Sequence, residues 1–182
     1  MTYEYKSDAI ELKQKLCCEL IGSNIIFLPE IDSTNDLIKK YLINNISEGL
    51  VVVSETQTGG RGRRGRSWYS PPETGIYLST LLKPDLELSK ISIITLLAGV
   101  AAILTINEFS NQNAYLKWPN DILIDSKKVC GLLCEAIKKN REPDSVIIGI
   151  GINVNQIPEQ FPEHLKNIAT SIRIVNGFPI DQ

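Results

Sequence analysis

The chain of 182 residues is poor in the residues that most often carry chemistry. Histidine occurs once, at His164, and methionine once. Cysteine occurs four times, as the neighbours Cys17 and Cys18 and as Cys130 and Cys134, with no CxxC pair. A zinc site needs several such ligands at fixed spacing, so these positions read as buried, reduced thiols. Neither sign of charge dominates. Nineteen Lys and Arg stand against twenty-one Asp and Glu, a net charge of −2. That balance excludes a general nucleic-acid coat, though not a local basic patch. The N-terminal stretch MTYEYKSDAIELK has no basic segment followed by an apolar one, so no signal peptide is read and a cytoplasmic protein is expected. No apolar run is read as approaching the ~18 residues of a membrane span. Repeats, low-complexity tracts and internal linkers are missing as well. The length suits a single domain with a real core.

Hydrophobic periodicity then gives the elements. An amphipathic helix is read over Ser7–Ile21, with Gly22 as its stop. A short strand, Ile25–Leu28, is expected to end at Pro29. Ser33 caps a second helix with Leu37, Ile38, Tyr41 and Leu42 on one face. Leu50–Val53 is a β-branched strand, and Gly75–Lys83 alternates like a strand. Ser89 is read as the cap of the longest helix, whose apolar centre from Ile91 to Ile106 predicts burial on all sides. Ala114–Trp118, Ile122–Asp125, Val129–Ile137 and Ser145–Asn153 follow as strands, two of them joined by a tight turn at Asp125-Ser126-Lys127. Residues 156–166 read as connection, and the last stretch as lacking a cap or a terminal helix. The expected fold is α+β: a mixed β-sheet with helices mainly on one side.

Between the strands lies Gly60-Arg61-Gly62-Arg63-Arg64-Gly65-Arg66. It matches G-x-G-x-x-G, but a dinucleotide fingerprint opens a helix, and Pro71 and Pro72 follow here instead. Four guanidinium groups in six residues repel one another without an anion. Arginine binds carboxylate and phosphate bidentately, and the glycines let the backbone close on a ligand. The physical expectation is a mobile loop that orders over a polyanion: a nucleotide, a carboxylate joined to one, or a nucleic-acid backbone. Trp68 and Tyr69 end the loop, either as a stacking surface for a base or as core anchors.

At this point the sequence resembles a family. Gln57–Trp68 (QTGGRGRRGRSW), Lys117–Asp121 (KWPND), Lys127–Gly131 (KKVCG) and Gly149–Asn153 (GIGIN) look like the ordered motifs of biotin protein ligases. Ser33-Thr34-Asn35 after Glu30-Ile31-Asp32 is similar to the first motif of that family. The resemblance implies a sheet related to class II aminoacyl-tRNA synthetases and to biotin–lipoate ligases. It implies ATP-dependent activation of biotin to biotinyl-5′-AMP, then transfer of biotin to a lysine of a biotin carboxyl carrier protein, as in acetyl-CoA carboxylase or another biotin-dependent carboxylase. ATP and Mg²⁺ are the implied co-substrate and ion.

The same resemblance assigns roles by position. Lys128 and Arg63 match catalytic positions at the carboxyl and phosphate oxygens. Ser33, Thr34, Asn35, Gln57, Gly60, Arg61, Gly62, Arg63, Lys128 and Gly131 match biotin-binding positions. Arg66, Trp68, Lys117, Asn120 and Asn153 match the nucleotide side, with Trp68 over the adenine. No metal ligand is assigned; Asp121 is a candidate Mg²⁺-linked carboxylate. Leu132, Leu133 and Ile150 are candidates for the apolar wall, and Gly151 for close backbone approach.

Two departures from the family pattern set further expectations. About two dozen residues precede the first strand, too few for the winged helix-turn-helix of many family members, so no DNA partner is expected and residues 1–182 read as a catalytic domain. Family members continue beyond GIGIN with helices and a small β-barrel, so the chain reads as C-terminally incomplete relative to them. A homodimer is left open, and no membrane partner is expected. The competing readings are a lipoate or octanoate ligase on the same architecture and a truncated, binding-only form.

Overall fold

The computed structural model describes residues 14–16, 18–43, 46–85, 87, 90–139 and 142–181. Most of the helix read over Ser7–Ile21 lies outside them, as do Cys17 and the expected cap Ser89.

Seven strands form one sheet in the order β1-β2-β3-β7-β6-β5-β4. They are β1 (Asn24–Ile31), β2 (Leu50–Gln57), β3 (Gly75–Leu82), β4 (Tyr115–Lys117), β5 (Asp121–Ile124), β6 (Lys127–Lys139) and β7 (Glu142–Asn153). Only β1 and β2 pair in parallel, and every other neighbour is antiparallel. The mixed α+β sheet expected from the sequence is the one observed. The β5–β6 turn falls at Asp125 and Ser126, both with positive φ (47° and 63°). That is the backbone of a tight two-residue hairpin.

Three helices pack on this sheet among the described residues: α1 (Thr34–Leu42), α2 (Ile91–Phe109) and α3 (Ile172–Asn176). Alternation along the strands sorts them onto two faces. Ile147 of β7 packs with Leu37 and Ile38 of α1. Its neighbours Val146 and Ile148 point the other way and pack with Ile94 of α2. Ile172 of α3 joins Ala102 and Ile106 of α2 on that second face. Of these, α2 and α3 thus share one face, and α1 lies on the other. Each fully buried aliphatic side chain in these clusters contributes about 1.5–3 kcal/mol of transfer free energy.

Five expectations need correction. Pro29 does not end β1, which runs on to Ile31. β1 is the edge strand, where a residue without N–H breaks no ladder. The long helix is not enclosed. Ile94, Ala102 and Ile106 are buried, but Leu97 is 64% and Leu104 62% exposed. A helix on a sheet touches it with one side only, and no described residue layers over the other. By length and composition α2 would also suffice to cross a membrane, against the reading that no run approaches such a span. Its Ser92, Thr95 and Thr105 interrupt the apolar run without adding charge. The C-terminal stretch does contain a helix: Ser171 Oγ accepts from Ile174 N–H, and Gly177 closes α3 at φ 85°. Five residues are too few to show a period in sequence. Finally, not all the thiols are buried, because Cys18 is exposed while Cys130 is buried.

Candidate active site

On the α1 face the sheet carries three glycines instead of large side chains: Gly131 of β6 with Gly149 and Gly151 of β7. Gly131 and Gly151 are paired across the two strands. The indole of Trp68 occupies the space they leave. A Cβ at Gly131 would lie 2.8 Å from the ring, and one at Gly151 would run into it. Trp68 ends the arginine loop, which is folded as a small hairpin. Trp68 N–H donates to Gly60 O at 2.8 Å, and Gly62 N–H to Arg66 O at 2.7 Å. Its tip is a single 3₁₀ turn, Arg63–Gly65, with Arg64 and Gly65 at φ 58° and 74°.

Loop, glycine floor and α1 enclose a cavity of about 1010 Å³. Its lining includes Ser33, Thr34, Asn35, Gln57, Arg61, Gly62, Arg63, Arg66, Trp68, Lys117, Asn120, Asp121, Lys128, Gly131 and Asn153. Every sequence-predicted site residue is therefore on the cavity wall except Gly60. Gly60 is buried behind it, where a Cβ would press on Trp68 O at 2.6 Å and Ser70 Oγ at 2.8 Å. Leu132, Leu133 and Ile150 also line it.

The wall has two chemical halves. One is neutral and polar. Ser33 is the N-cap of α1, its Oγ accepting from Asp36 N–H. The Gln57 side chain, at the end of β2, accepts from Thr34 N–H at 2.9 Å and donates to Ser70 Oγ at 3.0 Å. The other half is cationic. Arg61, Arg63, Arg64, Arg66, Lys117 and Lys128 face a single lining carboxylate, Asp121. Lys128 Nζ is 2.6 Å from Asp121 Oδ1 and 5.1 Å from the Trp68 ring centroid. Arg63 Nη1 donates to Asn120 Oδ1 at 3.1 Å, and Asn120 Nδ2 donates in turn to Leu132 O at 2.9 Å. Buried Asn153 donates to Thr170 O at 2.9 Å and to Lys128 O at 3.4 Å, which ties the Lys128 backbone to the segment after β7.

The expectation of four unpaired arginines fails at Arg61, which is ion-paired with Asp36 of α1 and reaches Glu135 of β6 at 3.6 Å. Glu135 also accepts from Lys39 at 2.7 Å and Asn35 at 2.8 Å. Partial burial opposes its ionisation, but those hydrogen bonds and the charges of Lys39 and Arg61 outweigh it and hold the carboxyl below its ordinary value. Burial pushes the Cys130 thiol up to about 12. No group of three or more His, Cys, Asp or Glu residues forms a metal cage among the described residues.

Sequence reasoning missed two parts of the wall and one residue behind it. Trp118, within the KWPND motif, lines the cavity and is 78% exposed. Phe161 and Leu165 return to it from the stretch read as connection, and Ile168 and Ala169 from just beyond it. They are held by Lys128 N–H to Ile168 O at 2.8 Å and Thr170 N–H to Lys128 O at 2.9 Å. Glu135 was missed because its partners lie on other elements; only its charge within the otherwise apolar middle of β6, Val129–Ile137, marked it.

The chain is similar to known proteins over most of its length. It is 43% identical over 172 residues to the bifunctional ligase/repressor BirA of Bacillus subtilis, covering 94% of this chain and 53% of that protein. To the biotin–[acetyl-CoA-carboxylase] ligase of Mycobacterium tuberculosis it is 33% identical over 133 residues, 70% of this chain and 48% of that one. The chain spans about half the length of these curated relatives. Among solved structures, the biotin protein ligase of Aquifex aeolicus in complex with biotin and ATP superposes with a TM-score of 0.73 at 38% identity, over 87% of this chain and 63% of that chain. The Leishmania major biotin protein ligase in complex with biotinyl-5-AMP gives 0.67 at 28%, over 85% and 65%. The sheet is the class II synthetase-like fold expected above. Residues 27–153 match the biotin/lipoate A/B protein ligase family, and by that match the chain belongs to it.

Proposed function

We propose that the chain activates biotin with ATP to biotinyl-5′-AMP and transfers biotin to a lysine of a biotin carboxyl carrier protein. The observation that carries this reading is the two-sided cavity, with a neutral hydrogen-bonding end at Ser33, Thr34 and Gln57 running into six cations at the other. A neutral cyclic urea suits the first end, and a carboxylate meeting a triphosphate suits the second. The relatives point the same way, since the Aquifex ligase holds biotin and ATP.

In the first step a carboxylate oxygen of biotin attacks the α-phosphorus, the P–O bond to the β-phosphate breaks, and pyrophosphate leaves. The reacting groups are both anions. Lys128 and Arg63 hold the carboxyl and phosphate oxygens together and offset their repulsion, which is catalysis by positioning and fixed charge. Gly62 and Gly131 allow close approach there, and Arg61 and Gly60 secure the loop over the biotin. Arg66, Trp68, Lys117, Asn120 and Asn153 serve the nucleotide, the last two also by fixing Arg63 and the Lys128 backbone. The indole N–H of Trp68 is buried against Gly151 and has no hydrogen-bond partner among the described residues. In the second step the carrier lysine, as free amine, attacks the acyl carbon; AMP leaves and the amine loses a proton.

Mg²⁺ would enter with the triphosphate. The chain offers one carboxylate there, Asp121, and this ion habitually takes one or two carboxylates besides phosphates and water. Its chemistry is to neutralise phosphate charge.

The test is biotin-dependent ATP–pyrophosphate exchange, with lipoate, octanoate and no-acid controls, followed by transfer to a carrier domain. Exchange with biotin alone supports the reading. Exchange with lipoate or octanoate instead moves it to that acid. No exchange despite biotin binding leaves a binding-only form.

A further inference from the structure

Glu135 lines no part of the cavity. It nevertheless ends a chain of hydrogen bonds that begins on the cavity wall. Thr34 Oγ1 is 2.6 Å from Ser79 Oγ, Ser79 Oγ is bonded to Asn35 Oδ1, and Asn35 Nδ2 lies 2.8 Å from Glu135 Oε2. Thr34, Asn35 and Ser79 are all buried, so water does not compete for these groups.

The protons in this chain have one consistent order. An ionised carboxylate only accepts. Asn35 must therefore turn its amide nitrogen toward Glu135 and its oxygen toward Ser79. Ser79 must donate its one proton to that oxygen. Its own oxygen is then free to accept only, and the proton it receives is that of Thr34. Gln57 Oε1, 3.1 Å from the same hydroxyl, is already supplied by Thr34 N–H at 2.9 Å. Thr34 has thus directed its proton inward, and what it presents to the cavity is an acceptor.

We propose that Glu135 is a positioning residue that fixes Thr34 as an obligate acceptor and so tunes the neutral end of the cavity to a ring that donates N–H. The proposal rests on the biotin reading above and names how that end would recognise a urea. The groups that face Glu135 are Asn35, Lys39 and Arg61, with Asp36 sharing both cations. They favour its ionised form, on which the order depends. An amide at this position removes the main constraint and leaves only the long contact of Asn35 Nδ2 with Leu133 O at 3.5 Å to oppose reversal: the chain can then reverse, and Thr34 can donate to Gln57. A site built on a committed hydrogen bond discriminates far more sharply than one that can adapt.

The experiment is calorimetric titration of the 182-residue chain with biotin and with the two analogues in which either ureido N–H is replaced by ring oxygen. The wild type is expected to disfavour at least one analogue strongly. In Glu135→Gln that preference for biotin should fall by about tenfold or more. Ser79→Ala, which cuts the relay without touching any charge, should reproduce the fall. Lys39→Ala should leave the preference within twofold, because Arg61 still faces the carboxylate. If Glu135→Gln does not fold, Ser79→Ala decides alone. An unchanged preference in the folded variants overturns this inference and leaves the biotin reading standing. A wild type that binds no biotin overturns both.

Discussion

The ammonium of Lys128 stands 2.6 Å from the carboxylate of Asp121, across the β5–β6 pair. The ammonium is thus held in place by Asp121 on one side and by the Trp68 ring on the other, as the proposed catalytic role of Lys128 requires. Both members are about one-third exposed, so solvent screens the pair and it adds little to stability. Lys128→Ala should therefore lower pyrophosphate exchange by about 100-fold or more while moving the thermal midpoint by only a few degrees. Parallel exchange assays and melts check this. Undiminished exchange would remove Lys128 from the mechanism.

Gly151→Ala is expected to be far more disruptive than its size suggests, because the added methyl meets the Trp68 indole. Overpacking of this kind costs about 1–3 kcal/mol. With exposed Trp118 replaced by Phe, the remaining tryptophan emission should shift as the indole is displaced, and ligand affinity should drop with it. An unaltered emission maximum would show that the ring does not rest on this glycine.

Acid stability should depend on Glu135. Its carboxyl is held below the ordinary value of 4.5 in the folded chain, so the folded state binds fewer protons there than the unfolded one. Stability from this group is complete above 4.5 and is lost as pH falls through the lowered native value. Denaturant midpoints of the wild type should fall below pH 4.5 more steeply than those of Glu135→Gln. Parallel curves would exclude the linkage.

Thiol reactivity should rank by burial. Cys18 is exposed, burial raises the Cys134 thiol, and burial pushes Cys130 up to about 12. Iodoacetamide at pH 8, read by peptide mass spectrometry, should label Cys18 first and Cys130 only on unfolding.

Residues 60–67 should gain protection from hydrogen exchange when biotin and ATP are present together, since Arg63, Arg64 and Arg66 then acquire anions. Equal protection with and without the ligands would contradict loop ordering.

The features legible in the sequence are those whose cause is local. Ser33 at the start of α1, the alternation of β3 and the Asp125-Ser126 turn each follow from a few adjacent residues. The arginine loop was legible as an anion-binding segment, because a cluster of arginines separated by glycines has few uses, whereas KWPND, KKVCG and GIGIN stood out only through the family resemblance. What escaped is set by distant partners. The open side of α2 depends on what lies across from it, and Pro29 is tolerated because β1 is an edge. Glu135 and the wall from Phe161 to Ala169 acquire meaning only when α1, β6 and the return after β7 meet.

The glycine floor has a consequence for how the pocket is inherited. Along Ile148-Gly149-Ile150-Gly151-Ile152 the strand works as a reading frame, with glycine facing the cavity and isoleucine facing α2. A one-residue insertion or deletion that β7 absorbed by slipping would exchange the two letters. Isoleucine would then fill the Trp68 slot, and the core beneath α2 would be left with glycine. Shape for the substrate and packing for the fold are thus encoded in the same alternation, so neither can drift without the other.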